Sequence, residues 1–219
     1  MRCLDLFCCG GGAGMGYYLA GMEVVGVDIA PQPKYPFQFV QADALEYLAT
    51  HGHEFDFIHA SPPCQKWSTI TKCGGKADYP DLIDSTRELL QRSGKLWVIE
   101  NVPGAPLRAP VMLCGTMFNL NVIRHRNFET SRPVRPPTKC RHIKRVVKHG
   151  RRPDRERHYA AVTGHFSDVE FAQESMGIKW LGQKELAQAI PPAYTHYLAE
   201  AMMGHNVKLT CRRFGGQVQ

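Results

Sequence analysis

A glycine-rich turn near the N-terminus constrains the fold of this chain more than any other feature. From Asp5 to Gly16 the sequence reads Asp-Leu-Phe-Cys-Cys-Gly-Gly-Gly-Ala-Gly-Met-Gly, between an apolar run and residues with helical spacing. This order predicts a strand that turns directly into a helix, with glycines where the backbone approaches a ligand closely. The glycines do not fit G-x-G-x-x-G and no lysine completes a Walker A loop, so the turn disfavours nicotinamide cofactors and ATP.

The rest of the chain predicts a doubly wound α/β fold. Short apolar runs indicate strands at residues 3–7, 24–28, 38–41, 55–60 and 96–100. Helical spacing predicts helices at residues 14–20, 44–50 and 79–92, the last with Leu82, Leu89 and Leu90 as buried positions. A helix between successive strands is typical of a mostly parallel sheet. Residues 183–204 predict two more helical pieces, the second of which begins at Pro191 and Pro192.

Two acidic residues follow predicted strands at positions where a cofactor would lie. Asp28 closes the second strand, where Rossmann-like folds place an acid that binds both ribose hydroxyls. Asp43 follows the third strand and faces the adenine amino group in this interpretation; either acid can instead be a helix cap. A glycine turn without a phosphate-binding element suits an adenosyl ligand that carries an amino acid. We therefore predict S-adenosylmethionine as the cofactor.

Positive charge is concentrated in residues 131–160, which we call the basic arm. The arm holds 11 of the 27 Lys and Arg residues of a chain whose net charge is +7, against only Asp154 and Glu156. Such an asymmetry is typical of a globule that attracts phosphate backbones, although a solvated or disordered loop is the alternative. With 219 residues and 43% hydrophobic content, we expect one main α/β domain at 1–130, the arm, and residues 161–219 returning to that domain.

A cysteine after two prolines is the candidate nucleophile. The segment Ser61-Pro62-Pro63-Cys64-Gln65 follows the fourth predicted strand. The prolines stiffen the backbone and hold the thiol at the carboxyl edge of the sheet, where open α/β sheets bind ligands. A lone cysteine is ordinarily a buried structural residue, but this position favours chemistry. Glu100-Asn101-Val102 ends the fifth strand and would set a carboxylate beside the thiol.

In this order the motifs resemble those of the cytosine-5 DNA methyltransferase family, which carries a DLFxGxGG loop, a PCQ nucleophile motif and an ENV motif. The family's arginine motif is matched by Arg124-His125-Arg126 before Phe128-Glu129, and its last motif loosely by residues 183–197. The resemblance spans most of the chain outside the basic arm. It implies a Rossmann-like S-adenosylmethionine-dependent methyltransferase fold with a short basic target-recognition appendage.

The resemblance also implies a mechanism, in which a methyl group passes from S-adenosylmethionine to carbon 5 of a cytosine flipped out of DNA. Cys64 would add to carbon 6 of the base, and Glu100 would hold the ring nitrogen and the exocyclic amine. Arg126 would bind the base carbonyl oxygen, with Arg124 supporting the same site. The loop from Gln65 to Lys76 would close over the base. A small stand-alone enzyme of this kind is typical of phage or restriction–modification settings.

The implied binding residues fall into two sets. Those expected to contact the cofactor are Asp5, Phe7, Cys9, Gly10, Gly11, Gly12, Asp28, Ile29, Asp43, Ala44 and Pro62. Those expected to contact nucleic acid are Pro63, Gln65, Ser68, Arg132, Arg135, Lys139, Arg141, Lys144, Arg145, Arg151 and Arg152. An arm of about thirty residues supplies phosphate contacts but few base contacts, which predicts a short recognition site or low specificity.

The chain departs from the family pattern at three positions. Cys9 replaces a glycine of the cofactor loop, so cysteine must adopt a backbone torsion normally given to glycine. Val122 replaces the glutamine that commonly precedes the paired arginines, and Gln188 replaces an asparagine of the last motif. These changes leave the proposed nucleophile and acid intact.

Other features bound the remaining classes of function. Eight cysteines without a Cys-x-x-Cys pair argue against a disulfide scaffold or a zinc ribbon. The spacing of Cys140, His142, His149 and His158 matches no common zinc finger, so no metal site is predicted.

Location and partners follow from similar arguments. No apolar run approaches the roughly 18 residues of a membrane span and no signal sequence begins the chain. We therefore expect a cytoplasmic protein in a bacterial or phage-infected cell, monomeric and acting on double-stranded DNA. RNA such as tRNA is the alternative substrate, and a non-catalytic protein that binds cofactor and nucleic acid is the alternative of another class.

Overall fold

The computed structural model describes residues 1–64, 81–147 and 151–205. The main sheet has seven strands in the order β3-β2-β1-β4-β5-β7-β6. The strands are β1 (Arg2–Leu6), β2 (Glu23–Asp28), β3 (Gln38–Gln41), β4 (Phe57–Ala60), β5 (Leu96–Asn101), β6 (Val111–Leu113), β7 (Arg126–Thr130), and a separate pair, β8 (Arg145–Val146) and β9 (His158–Tyr159). The helices are α1 (Gly12–Leu19), α2 (Ala44–His51), α3 (Ile83–Ser93), α4 (Val169–Met176), α5 (Gln183–Leu186) and α6 (Pro192–Met202).

The first five strands are parallel to one another, and β7 is antiparallel to both β5 and β6. The strand order reverses direction between β1 and β4, the point at which doubly wound sheets open a crevice at their carboxyl edge. The predicted doubly wound, mostly parallel fold is confirmed. The hairpin of β6 and β7, which extends the sheet beyond β5, was not foreseen, because the sequence from 111 to 130 has no clear period.

Alternation along the strands divides the core into two layers. Cys3 and Phe57 belong to the cluster that includes residues of α1 and α6. The neighbouring positions Leu4 and Ile58 belong to the cluster that includes residues of α2 and α3. Successive side chains of a strand point to opposite faces, so both faces of a parallel sheet must be apolar and covered by helices.

The C-terminal segment packs back onto the main domain through a close contact between α1 and α6. A Cβ atom at Gly16 would lie 2.0 Å from Thr195 Oγ1, so only glycine permits the two helices to approach this closely. The Thr195 hydroxyl donates to the Ala13 carbonyl at 2.8 Å. Pro192 occupies the first turn of α6, as predicted for a helix that begins at the paired prolines.

The predicted elements agree with the structure except at some boundaries. The fourth strand begins at Phe57 instead of residue 55, and α3 begins at Ile83 instead of residue 79. Residues 79 and 80 lie outside the described part of the chain. The predicted buried stripe of α3 was wrong in part, since Leu82 and Leu89 are half-buried. The inward face carries Ile83, Thr86, Arg87 and Leu90, whose spacing of three or four residues defines one side of a helix.

A third apolar cluster was also missing from the prediction. It gathers residues between Val122 and Ala189, including side chains of α4 and α5, beside the carboxyl edge of the sheet. Val122 pairs with Ala160 in an isolated parallel bridge, which joins the end of the basic arm to the segment before β7. The basic arm is therefore attached to the main domain at both of its ends.

Helices in the described ranges are short. None of them has both the length and the apolar composition that a bilayer crossing requires.

Candidate active site

The predicted cofactor turn leaves β1 through three residues with left-handed backbone. Phe7, Cys9 and Gly11 have φ angles of 57°, 45° and 79°. The left-handed region costs a residue with a Cβ about 1–2 kcal/mol. The torsion expected for Cys9 is thus confirmed, and the amide of Cys9 is held by a hydrogen bond of 3.0 Å to Asp28 Oδ2. This bond stabilises a conformation that cysteine adopts less readily than glycine.

Asp28 joins the ends of β1 and β2. Its second oxygen, Oδ1, accepts from the Ala30 amide at 3.0 Å, and the residue is 9% exposed. The next residue, Ile29, is 72% exposed, although it is a large apolar side chain. An exposed apolar surface beside a carboxylate at the carboxyl edge of a parallel sheet fits an adenosine, whose base would cover Ile29.

The three glycines of the turn are required by the protein's own packing. Cβ atoms at Gly10, Gly11 and Gly12 would lie 2.5 Å from Leu181 Cδ2, 2.7 Å from Pro36 Cδ and 2.5 Å from the Ile190 carbonyl oxygen. The indole of Trp180 also donates to the Gly10 carbonyl at 2.8 Å. The space on the Cβ side of these α-carbons is therefore occupied by later segments of the chain, and backbone contact between the three glycines and the cofactor stays a prediction.

Two of the acidic residues predicted to contact the cofactor have structural roles. Asp5 is 1% exposed and accepts a hydrogen bond of 3.1 Å from the Tyr35 hydroxyl, while its contact with the cofactor stays a prediction. Burial raises the pKa of Asp5 to about 8, opposed by the bonds from Tyr35 and the Gly14 amide. Asp43 caps α2 by accepting from the Leu45 and Glu46 amides, which is the alternative anticipated for it.

Other predicted cofactor residues lie around this turn with different exposure. Phe7 is half-buried and packs on the cluster beneath α2 and α3. Ala44, the first residue of α2, is 3% exposed, and Pro62 is buried as well. Few of the predicted cofactor residues are thus exposed near the carboxyl edge of the sheet, and Ile29 is the large apolar side chain among them.

Cys64 follows β4 on a short segment that a buried asparagine holds in place. The Asn101 side chain donates to the Pro62 carbonyl at 3.0 Å, and its own oxygen accepts from the Val102 amide at 2.9 Å. Prolines at 62 and 63 restrict the backbone before the thiol. The middle residue of the ENV motif thereby ties the cysteine segment to the end of β5, a role that the sequence did not reveal.

Glu100 and Arg126 form a nearly buried ion pair beside this segment. Arg126 Nε lies 3.1 Å from Glu100 Oε1, and their side chains are 17% and 8% exposed. The pair exists because β7 runs antiparallel to β5, which brings the start of one strand to the end of the other. Burial raises the pKa of Glu100, while Arg126 and a hydrogen bond from Ser61 oppose the rise.

The Cys64 thiol lies within the electrostatic field of this pair. Burial and the Glu100 carboxylate raise the pKa of Cys64, and Arg126 and Arg124 oppose the rise. Cys9 is also coupled to Glu100 and Cys64, which raise its pKa after the larger effects of burial and Asp28. The predicted cofactor turn and the predicted catalytic residues therefore meet at one place.

A buried polar chain supports Glu100 from below the sheet edge. His59 Nε2 lies 2.9 Å from Ser61 Oγ, and His59 Nδ1 lies 2.9 Å from the Tyr17 hydroxyl. Burial lowers the pKa of His59 to about 3, so the ring is neutral near pH 7. The sequence analysis did not predict these hydrogen bonds, although a histidine inside the apolar run of β4 indicates a buried polar group that needs partners.

Arg124 is a structural support. It is 5% exposed, and its guanidinium donates to the carbonyls of Val162 and Ala187 at 2.8 Å each. Its own carbonyl accepts from the Tyr194 hydroxyl at 2.6 Å. These bonds connect the segment just before β7 with the end of α5, with α6 and with the third cluster. Arg124 thereby anchors the residues that lead into Arg126, and its supporting role in catalysis stays a prediction.

The predicted nucleic-acid residues divide into exposed and engaged groups. Gln65, Ser68 and the rest of the predicted lid lie outside the described residues, and Pro63 is half-buried. The Arg132 guanidinium donates to the Met202 carbonyl, and Lys144 Nζ to Asn121 and the Arg155 carbonyl. Arg132 is nevertheless exposed, as are Arg135, Lys139, Arg141, Arg145, Arg151 and Arg152.

The first half of the chain matches a known family. Residues 1–107 match the family described as C-5 cytosine-specific DNA methylase. No curated protein sequence matches the chain. The fold is similar to that of the S. pombe Dnmt2 methyltransferase, with 12% identity over 94% of this chain and 100% of that chain and a TM-score of 0.55. The Entamoeba histolytica methyltransferase EhMeth gives 12% identity, 93% and 98% coverage, and a TM-score of 0.58.

A third structure, the DNMT2 mutant from Spodoptera frugiperda, matches at 18% identity over 59% of this chain and 49% of that chain, with a TM-score of 0.46. The chain thus spans about half the length of that protein. The fold is similar to that of known methyltransferases, and the family match implies S-adenosylmethionine as the cofactor. More narrowly, residues 1–107 match the C-5 cytosine-specific DNA methylase family, as the motifs predict. The cofactor prediction is confirmed with it.

Proposed function

We propose that the protein methylates carbon 5 of cytosine in double-stranded DNA through a covalent adduct with Cys64. The observation that carries this proposal is the junction of Cys64 with the Glu100–Arg126 ion pair, next to the Cys9 turn. Bound S-adenosylmethionine supplies an electrophilic methyl group at this junction. The remaining chemistry must come from the protein, because carbon 5 of cytosine is a poor nucleophile on its own.

Cys64 would activate the base by attacking carbon 6. The raised pKa of the thiol means that its proton is present near neutral pH in the free protein, so this proton must be released to solvent as the sulfur–carbon bond forms. The carbon 5–carbon 6 electron pair then becomes part of an enamine, and the ring nitrogen takes a proton. Carbon 5 of that enamine is the nucleophile that accepts the methyl group.

Glu100 and Arg126 would stabilise the adduct. The raised pKa of Glu100 favours the carboxylic acid form, which can donate a proton or a hydrogen bond to the ring nitrogen. Arg126 would bind the base carbonyl oxygen with guanidinium protons that do not contact Glu100. After methylation, loss of the carbon 5 proton and expulsion of the thiolate restore the aromatic ring and the free enzyme.

The exposed arginines of the basic arm support DNA as the substrate. They supply phosphate contacts close to the third cluster, which borders the site, and the family of residues 1–107 is described by its action on DNA. A target inside a duplex must be flipped out, at a cost of a few kcal/mol that such contacts offset.

The test is methyl transfer by the purified full chain. Duplex DNA and tRNA are incubated in parallel with labelled S-adenosylmethionine, and the nucleosides are analysed for 5-methylcytosine. We expect label in DNA from the wild type and from Cys73→Ser, and none from Cys64→Ser. Cys64→Ser should also abolish covalent trapping on 5-fluorocytosine DNA, because that analogue blocks the elimination step.

Three outcomes contradict the proposal in different ways. Label in tRNA alone would assign the same chemistry to RNA. Trapping that persists in Cys64→Ser would assign the nucleophile to another cysteine. Binding of the cofactor without label in either nucleic acid would identify a non-catalytic binding protein.

A further inference from the structure

Four metal-binding side chains converge away from the candidate active site. Cys114, His125, Cys140 and His142 each direct one ligand atom into a common centre, and all four atoms lie within 4.8 Å of one another. Cys114 is fully buried, His125 and Cys140 are half-buried, and His142 is exposed. Both cysteines are free thiols. Two thiols and two imidazoles are a common ligand set of structural zinc sites.

The distances between these atoms agree with the edges of a tetrahedron. Bonds of about 2.3 Å to sulfur and about 2.0–2.1 Å to nitrogen place sulfur and nitrogen ligands about 3.5 Å apart. Cys114 Sγ to His142 Nε2 and Cys140 Sγ to His125 Nε2 both measure 3.5 Å. Cys140 Sγ to His142 Nε2 is shorter, at 2.8 Å. A small outward movement of His142, the exposed member, would complete the tetrahedron.

The surroundings of the sulfurs suit a bound cation. The Thr116 hydroxyl donates to Cys114 Sγ at 3.4 Å and lies 3.5 Å from Cys140 Sγ. Hydroxyl donors beside metal-bound sulfur stabilise the thiolate and orient it. The imidazole rings of His125 and His142 lie with centroids 5.2 Å apart, as two ligands of one ion must. Thr116 therefore completes the polar shell around the two thiols.

We propose that Cys114, His125, Cys140 and His142 bind one structural zinc ion. Binding releases the two thiol protons to solvent and sets a divalent cation against two thiolates, so the complex is neutral. Zinc fits better than an iron–sulfur cluster, because the sulfur and nitrogen atoms are close enough to share one ion. In a two-iron cluster held by two cysteines and two histidines, the thiolates and imidazoles would bind different irons.

The sequence concealed this site because its ligands come from separate elements. Cys114 follows β6 and His125 precedes β7, while Cys140 and His142 belong to the basic arm. Of the two histidines that the sequence pairs with Cys140 and His142, His158 is engaged elsewhere, since its Nδ1 accepts from the Asp154 amide. His149 lies outside the described residues. The prediction of no metal site therefore tested the wrong set of residues.

The position of the ion explains what it would do. It would join the basic arm to the β6–β7 hairpin, and His125 lies between Arg124 and Arg126 in the chain. The arm ligands alternate with Arg141 and Ile143, and Ile143 is 86% exposed. Zinc would thus fix the position of the arm, so that Arg141 and Ile143 face a nucleic acid. Through His125 it would also fix the segment that carries Arg124 and Arg126. The inference concerns metal content and does not depend on the proposed methylation.

The test is the metal content of the full chain, purified under reducing conditions without chelator. We expect about one zinc ion per chain by elemental mass spectrometry, released when a mercurial reagent modifies the thiols. Replacement by Co²⁺ should produce thiolate charge-transfer bands and the visible spectrum of a tetrahedral ion. Cys140→Ser and His142→Ala should each lose most of the zinc, and Thr116→Val should weaken zinc affinity about 10–100-fold.

Matched controls keep the result specific. Cys64→Ser removes the candidate catalytic thiol, and His165→Ala removes an exposed histidine in the segment after the arm; both should retain zinc. A wild-type chain that binds no zinc after reconstitution would overturn the proposal. So would full zinc content in the double variant Cys140→Ser/His142→Ala, or an intact mass showing a Cys114–Cys140 disulfide in place of the metal.

Discussion

At the residue scale, burial and the charges of neighbouring residues shift the pKa of Cys64. Glu100→Gln removes a carboxylate that raises the pKa of Cys64 and leaves the opposing Arg126 charge unpaired. We expect a lower Cys64 pKa and faster alkylation by iodoacetamide at any pH below it, although methyl transfer falls by about 10²–10⁴-fold. The measurement follows the Cys64 peptide by mass spectrometry across pH. Glu88→Gln, on the exposed face of α3, is the control.

An unchanged or higher Cys64 pKa in Glu100→Gln would show that the two groups are not coupled. Loss of both alkylation and activity would instead indicate a collapsed site, which circular dichroism would reveal.

Asp5 gives stability a pH dependence of known sign. Its pKa is raised to about 8 in the folded protein, against about 3.9 in an unfolded chain. Between these values the native state retains a proton that the unfolded chain has lost, so stability falls as pH rises, by up to about 1.4 kcal/mol per unit. Asp5→Asn removes this loss. The advantage of the variant over wild type in urea unfolding should therefore increase from pH 5 to pH 8.

Glu46→Gln removes one negative charge from the exposed surface of α2 and serves as the control. An advantage of Asp5→Asn that is constant or shrinks with rising pH would contradict the buried, proton-bearing state of Asp5.

At the scale of elements, one buried ion pair fastens α3 to β7. Arg87 Nε and NH2 donate to the two oxygens of Glu129 at 2.8 and 2.9 Å, and the side chains are 3% and 5% exposed. The second oxygen also accepts from the Arg108 amide. Removal of one partner leaves an uncompensated buried charge, so we expect Arg87→Ala to lower the free energy of unfolding by about 3–5 kcal/mol. Urea denaturation measures the change.

The matched variant is Arg92→Ala. Arg92 pairs with Glu88 on the same helix, and its side chain is 71% exposed. Its cost should stay below about 1 kcal/mol. The double variant Arg87→Met/Glu129→Leu should recover most of the loss, because it removes both charges. Equal costs for the two single variants would refute the dominant role of the buried pair.

At the scale of the whole molecule, the proposed function assigns contact with nucleic acid to the basic arm. Arg135 and Arg141 are exposed on the arm, whereas Arg92 and Lys95 lie just before β5, at the amino edge of the sheet opposite the site. Arg135→Gln/Arg141→Gln should weaken binding on every DNA sequence and reduce the salt slope of log K by about 2. Arg92→Gln/Lys95→Gln should leave the slope unchanged. Fluorescence anisotropy at several salt concentrations measures both.

A change in sequence preference with an unaltered slope would show that the two arm arginines read bases, contrary to a purely electrostatic role.

What the sequence determined by itself is local. The strand-to-helix turn at Asp5–Gly16, the alternation in β1 and β4 and the proline-led position of Cys64 follow from short-range patterns. The left-handed torsion of Cys9 was predictable for the same reason, since backbone requirements of a tight turn are set within a few residues. Motif order then pointed to the family.

The tertiary structure alone decided which side chains meet across elements. It turned Asp5 inward toward Tyr35, filled the space beside the turn glycines with Leu181 and Ile190, and made Arg124 a support for the C-terminal segment. It also gathered Cys114, His125, Cys140 and His142 from three segments of the chain. Periodicity encodes the face of an element that is buried, but contacts between distant residues depend on packing and strand pairing that no local pattern contains.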